Sequence, residues 1–182
     1  MMKLAIWLVA LALFAVVPAR AITSSGGASL TRPSNTTAYA AGQAICASTS
    51  VDCVPLTITG ATHGLIHGVK LTKSTTSAAN ASFTVMIYQI APTLTGIKDA
   101  SAYSPSLADI TSGKFATSAT CTAPTLTNSN NLQYQCTLAN PNGTGSYVTD
   151  NASSLYAVIQ ANAAYAPGSG ETFYVSLTLL QD

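Results

Sequence analysis

Two apolar runs near the C-terminal end of the chain constrain its fold more than any other feature. They cover residues 155–161 and 173–180, and each has apolar side chains on both faces of an extended strand. Residues 164–170, with the sequence Ala-Tyr-Ala-Pro-Gly-Ser-Gly, separate the runs and cannot continue either of them. The pattern predicts a β-hairpin that closes a domain, with strands that lie in the middle of a packed sheet.

The preceding part of the chain repeats this pattern of short apolar segments between turn residues. No 3.6-residue amphipathic period is present after residue 21, and only residues 107–110, with Asp109 following Ser106, have the pattern of a helical turn. We therefore expect an all-β fold, a single β-sandwich with a jelly-roll-like topology. The further predicted strands lie at residues 43–47, 54–59, 64–73, 83–91, 115–121 and 132–138.

The first 21 residues have the organisation of a secretory signal peptide. Lys3 is a basic start, residues 4–17 are uninterrupted apolar, and Pro18-Ala19-Arg20-Ala21 places small residues where a signal peptidase cleaves. The apolar run has 14 residues, fewer than the roughly 20 that a membrane-spanning helix needs. Residues 1–21 are predicted to be a signal peptide, and an uncleaved apolar anchor is the alternative.

The segment that follows, residues 22–41, is rich in Ser, Thr and Gly and is predicted to be an extended arm. The β-sandwich domain is then expected to cover residues 42–182. A sandwich of this size leaves edge strands, and the chain has few lysines to protect them from pairing. We therefore expect the edges to be covered by a neighbouring subunit or by the arm.

Charged side chains are scarce. They make up 7% of the chain, whereas hydrophobic residues make up 48%. Five basic and six acidic residues follow residue 21, too few cations to build a basic patch for nucleic acid. The hydrophobic content is too high for a disordered chain, so the polar surface has to consist of Ser, Thr and Asn side chains.

Four cysteines, Cys46, Cys53, Cys121 and Cys136, are candidates for disulfides. They allow three pairings, of which Cys46 with Cys53 and Cys121 with Cys136 is favoured, because each pair brackets a turn-rich segment between predicted strands. Export would make oxidation possible. A zinc site is the disfavoured alternative, since neither pair has the two-to-four-residue interval that zinc ligands use.

The residues that could carry chemistry do not form a recognisable site. His63 and His67 would lie about 13 Å apart on a strand, too far for one metal ion. Gly168-Ser169-Gly170 lacks the frame of a nucleophile elbow and is better explained as the tip of a turn. Glu171 is the only glutamate, and the aspartates Asp99, Asp109 and Asp150 are interpreted as turn or cap residues. We therefore predict that the chain is not an enzyme and has no catalytic, cofactor-binding or metal-binding residues.

Three of the eight tyrosines, Tyr156, Tyr165 and Tyr174, lie in or between the two apolar runs and are candidates for an interface. Tyrosine rings could also form a glycan-binding surface, because they stack on sugar faces. Core and interface positions are the favoured interpretation for a β-sandwich.

Several phrases of the sequence are shared with a known family. The phrase Leu-Thr-Arg-Pro at residues 30–33 is followed by Asn-Thr-Thr-Ala-Tyr-Ala-Ala-Gly at 35–42, and later by Ser-Leu-Tyr-Ala-Val at 154–158 and Ala-Tyr-Ala-Pro at 164–167. In this order they resemble small structural proteins encoded near the capsid genes of tailed bacteriophages. The resemblance implies a jelly-roll-like β-sandwich on or near the virion surface. The signal peptide and the cysteines depart from the family's pattern, because virions assemble in a reducing cytoplasm.

Two functions follow as hypotheses. The first is a non-enzymatic virion structural protein, a capsid decoration or fibre-like β-sandwich whose partners are copies of itself and other virion proteins. The second is a secreted or periplasmic binding module, adhesive or glycan-binding, exported through the signal peptide. Neither involves a cofactor or nucleic acid, and a membrane would be contacted only through residues 1–21 if they stay uncleaved.

Overall fold

A computed structural model describes residues 22–60, 63–74, 81–127, 130–139, 147–148 and 154–181. The predicted signal peptide at residues 1–21 and the predicted turn or cap residue Asp150 lie outside these ranges. Eleven strands and one short helix, α1 (Leu107–Thr111), occur in the described residues, so the all-β prediction is confirmed. The strands are β1 (Ile22–Thr31), β2 (Ala44–Ile45), β3 (Leu56–Ile58), β4 (Gly64–Lys73), β5 (Phe83–Tyr88), β6 (Phe115–Cys121), β7 (Pro124–Thr127), β8 (Leu132–Ala139), β9 (Tyr147–Val148), β10 (Leu155–Ala161) and β11 (Thr172–Gln181).

These strands form one antiparallel sheet that curls on itself. The hydrogen-bonded order is β1-β11-β4-β8-β6-β5-β10-β2, while β3 pairs with β10, β7 with β8 and β9 with β4. Strand β8 joins the two halves of the sheet, because its first part pairs with β4 and its last three residues pair with β6. A backbone bridge between Gly27 and Thr59 brings β1 next to the end of β3.

The predicted closing hairpin is wrong. Strand β10 pairs with β5, β2 and β3, whereas β11 lies between β1 and β4, in the other half of the sheet. The segment between them crosses the molecule instead of turning back, because Tyr165 forms a backbone bridge with Tyr39 and the Gly170 N–H donates to the Pro33 carbonyl. Both strands nevertheless have partners on each side, as their apolar patterns predicted.

The hydrophobic core lies inside the curl. Alternate residues of β11, from Phe173 to Leu179, are fully buried and face the same core as Val85 and Ile87 of β5. Phe83 lies near its centre and contacts the rings of Tyr134, Tyr165 and Phe173 edge-on, with ring centroids 5.3–5.5 Å apart. Such pairs stabilise a core by about 0.5–1.5 kcal/mol each beyond the area they bury.

The extended arm is in large part a strand of the sheet. Residues 22–31 form β1 and pair with β11 along its whole length. The arm therefore covers an edge of β11, which is one of the two ways of covering an edge that the sequence suggested. Strand β1 becomes the outer strand of that half, and its sequence Gly26-Gly27 permits a close approach of neighbouring groups.

Both predicted disulfides, Cys46–Cys53 and Cys121–Cys136, are confirmed. The second connects the end of β6 to the middle of β8, and both of its cysteines are buried. It thereby fixes the two strands at the point where the sheet curls. The first closes a short loop, residues 47–52, on the molecular surface beside β1.

We expect the Cys121→Ala/Cys136→Ala variant to lose about 3 kcal/mol of unfolding free energy, because the bridge closes a 15-residue interval in the unfolded chain. Urea unfolding of the oxidised protein measures the loss. Fully reduced wild type is the limiting comparison: it also loses the Cys46–Cys53 bridge, so it should be no more stable than the variant. An unfolding midpoint equal to that of the oxidised wild type would contradict the prediction.

Candidate functional site

The phrase at residues 30–42 folds into a buried polar cluster, which we call the Arg32 cluster: Arg32, Tyr39, Asp99 and Tyr165. The Arg32 Nη2 lies 3.3 Å from Asp99 Oδ2, and both side chains are wholly buried. The Tyr39 hydroxyl donates to Asp99 Oδ1 at 2.5 Å and accepts a hydrogen bond from Arg32 Nε. The Tyr165 ring stacks on Tyr39 with a centroid distance of 5.1 Å.

The cluster fastens distant segments of the chain to one carboxylate. Besides Tyr39 and Arg32, the backbone N–H of Cys46 donates to Asp99 Oδ1 at 2.9 Å. Asp99 lies in a turn, as predicted, and its side chain points inward. Burial, together with the hydrogen bond to Asp99, raises the pKa of the Tyr39 phenol well above its usual value. The arrangement is suited to holding the fold and presents no reactive group to solvent.

A second buried ion pair joins Lys73 at the end of β4 to Glu171 just before β11. Both side chains have no accessible surface, and Lys73 Nζ donates to Glu171 Oε1. Burial, and then the nearby Glu171 carboxylate, raise the pKa of Tyr134 to about 12. The positive charge of Lys73 thus neutralises the negative charge of Glu171 within the core.

A third pair stabilises the helical turn. The Ser106 hydroxyl caps α1 by accepting from the Asp109 N–H at 3.0 Å, and it donates to Asp109 Oδ2 at 2.7 Å. Lys114 Nζ lies 3.1 Å from Asp109 Oδ1. These contacts, led by the Ser106 hydrogen bond, lower the pKa of Asp109. Asp109 was interpreted as a turn or cap residue; the N-cap is Ser106, and Asp109 lies in the first turn of α1, where its carboxylate accepts from the Ser106 hydroxyl.

The three tyrosines predicted at an interface lie in different environments. Tyr165 is only 6% exposed and lies in the core, beside the backbone bridge to Tyr39. An interface role for Tyr165 stays a prediction. Tyr156 is half-buried against a second apolar cluster around Tyr88 and Tyr103. Tyr174 is 46% exposed on the outer side of β11.

Tyr174 lies among mostly small polar side chains on the outer side of the sheet. We call the outward-pointing residues of β1, β11, β4 and β8 the outer face. The strand register places it between Ser29 of β1 and Thr72 of β4. Thr72 is opposite Gln133 of β8, which completes the row. The adjacent row, in the same strand order, consists of Gly27, Ser176, Lys70 and Gln135.

A different surface feature lies beside the Cys46–Cys53 loop. A cavity of about 320 Å³, here called the Val54 groove, is bounded by β1 residues 28–30 and by residues 51–57. Val54 and Val51 line it and are 80% and 61% exposed, and Leu30 and Leu56 lie buried in its wall. The groove is therefore open, mainly apolar and adjacent to an outer strand.

No family model matches this chain, and no curated protein matches it. The resemblance to phage structural proteins therefore stays a prediction. Within the described part of the chain, no group of three or more His, Cys, Asp or Glu residues could hold a metal ion. None of the helical residues described there forms a segment long and apolar enough to cross a membrane.

The histidines and Ser169 lie at the surface. His63 and His67 are exposed at the start of β4 and on it, and Ser169 is exposed in a turn, as the sequence indicated. The features that sequence reasoning missed are the buried pairing of Arg32 with Asp99 and of Lys73 with Glu171.

Proposed function

We propose that this protein is a non-enzymatic structural component of a virion, a capsid decoration or fibre-like protein that self-associates and docks on the particle. The resemblance of the 30–42 phrase to phage structural proteins supports the proposal. The phrase also has a structural explanation, since Arg32 and Tyr39 are used to fasten the fold. A jelly-roll-like β-sandwich is the topology that we propose for the curled sheet.

The observation that carries the docking function is the Val54 groove. Isolated exposed apolar residues are ordinary, but here two valines border a mainly apolar cavity. The cavity also adjoins β1, whose residues 28–31 have no ladder partner on their outer side among the described strands. An outer strand beside an apolar groove is suited to accept an extended segment of a neighbouring subunit.

We expect Val54→Glu to weaken self-association at least tenfold, because it introduces a charge that would be buried at the contact. Sedimentation equilibrium of the wild type and the variant measures the change. Ile90→Glu is the matched control, since Ile90 is 56% exposed and lies outside the groove. A wild-type protein that stays monomeric at all concentrations would contradict the proposal.

The virion location requires a separate experiment. Mass spectrometry of virus particles purified from cells that express the chain should detect it in fixed proportion to the capsid protein. Particles that assemble without it would refute the virion role even if the isolated protein associates.

An exported binding module is the second candidate, and the two disulfides favour it. Disulfides persist in oxidising compartments and are rare in the cytosol. Peptide mapping of the protein purified from its native host separates the two candidates. An N-terminus at Ile22 with both bridges formed supports export, whereas Met1 retained with four free thiols would exclude it.

A further inference from the structure

The ring of Tyr174 lies across the neighbouring strand. A Cβ placed on Gly27 would be 2.2 Å from the Tyr174 hydroxyl oxygen and 2.6 Å from Cζ, so any side chain at this position would push the ring away. The ring therefore extends from β11 over the backbone of β1, and it can do so only because residue 27 is glycine. Since Tyr174 remains 46% exposed, an aromatic surface held along the sheet is left open to solvent.

The groups around this ring are hydrogen-bonding and almost uncharged. Ser29 and Thr72 are its cross-strand neighbours, and Lys70 is the one charged side chain in the two rows that surround it. Hydroxyl and amide side chains offer both donors and acceptors, and strands spaced about 4.8 Å apart present them at regular intervals. The surface thus combines one flat apolar element with a surrounding set of polar groups.

We propose that the outer face around Tyr174 is a binding site for a neutral polysaccharide built of hexopyranose units. A pyranose ring has a C–H face that packs on an aromatic ring and a rim of hydroxyls that pair with amides and hydroxyls. A nucleic acid would need several cations, which this face lacks. The proposed docking surface, the Val54 groove, borders this face at Ser29 but is not lined by Tyr174, so substitution of Tyr174 tests glycan binding separately from the proposed virion function.

Tyr174 has the central role because it is the exposed aromatic ring of the outer face, and Gly27 has a positioning role because it allows the ring to lie flat. The two roles predict different responses to substitution. Tyr174→Phe keeps the stacking surface and should bind nearly as well as the wild type. Tyr174→Ala removes the surface, and Gly27→Val displaces it without changing the tyrosine.

The test uses NMR titration of the whole protein with three probes: hexamers of β-1,4-linked glucose, of α-1,4-linked glucose and of β-1,4-linked N-acetylglucosamine. We expect at least one probe to bind and to shift amide signals of β1, β11 and β4. Tyr174→Ala should weaken that binding at least tenfold, and Gly27→Val should do so to a similar degree. Leu107→Ala, a change at an exposed residue far along the chain in α1, should leave binding unchanged.

Each outcome decides the proposal. Absence of binding by all three hexamers, or binding that survives Tyr174→Ala, would overturn it. If Gly27→Val fails to fold, Tyr174→Ala and Tyr174→Phe still decide, since both change a partly exposed side chain. Self-association measured on the Tyr174→Ala variant separates this site from the Val54 groove, because it should remain at the wild-type level.

Discussion

Replacing Lys73 with methionine is expected to lower the free energy of unfolding by about 3–5 kcal/mol, because the change leaves the Glu171 carboxylate in the core without the ammonium that faces it. Neither side chain has accessible surface, so water cannot take the place of the missing partner. Methionine has a similar length to lysine and fills most of the same space, which keeps the effect electrostatic. Urea unfolding, followed by circular dichroism, measures the loss.

Two further variants test whether charge is the cause. Lys70→Met changes the same residue type on the same strand, but Lys70 is exposed on the outer face, and its effect should stay within about 0.5 kcal/mol. Lys73→Met/Glu171→Gln removes both charges and should recover a large part of the stability lost by Lys73→Met. A double variant less stable than Lys73→Met would show that the loss comes from packing rather than from an unpaired charge.

The position and extent of many strands could be predicted because they depend on local pattern. The alternation of apolar and polar residues predicted a strand at residues 64–73, and β4 covers the same residues. The same holds for β6 at residues 115–121. The short strands β7 and β9 were missed, since neither carries an apolar run long enough to be recognised.

The pairing of strands and the burial of charged side chains depend on contacts between residues distant in sequence, so the sequence indicated both poorly. The hairpin between residues 155–161 and 173–180 was wrong because the connecting segment is anchored to Tyr39, more than a hundred residues earlier. One feature of the sequence could have been used to predict this burial. Lys73 lies two residues after the inward-pointing Leu71 on β4, so both side chains point to the same face of the sheet. Glu171 likewise lies two residues before the inward-pointing Phe173. The alternation of side chains along a strand thus places both charged groups in the core, and buried opposite charges are expected to pair.

The disulfides lie between these two cases, because they join separate segments of the chain whose cysteines are nevertheless near each other in sequence. Sequence proximity favoured the pairings that the structure shows, Cys46 with Cys53 and Cys121 with Cys136. For the outer face, where we propose glycan binding, the sequence supplied the candidate Tyr174 but not its orientation. The orientation depends on Gly27, which lies opposite Ser176 and was noted in the sequence only as part of an extended arm.

Asp99→Ala is expected to destabilise the protein by about 3–5 kcal/mol, because it removes the carboxylate that neutralises buried Arg32 and accepts from Tyr39 and the Cys46 N–H. Urea unfolding measures the loss, and Asp52→Ala is the matched control. Asp52 is exposed beside the Val54 groove, so its replacement should change stability by less than about 0.5 kcal/mol.

The Asp99→Ala variant should also show where the Arg32 cluster acts. The Cys46 N–H loses its acceptor, so its hydrogen exchange should become faster by more than the loss of global stability alone would cause. The amides of β8, which lies four positions from β2 in the sheet order, should change only with global stability. If all amides accelerate equally, the cluster contributes to the whole fold and has no separate role in fastening the segment around Cys46. Equal stability of Asp99→Ala and the wild type would instead show that the phrase at residues 30–42 is not held by this carboxylate.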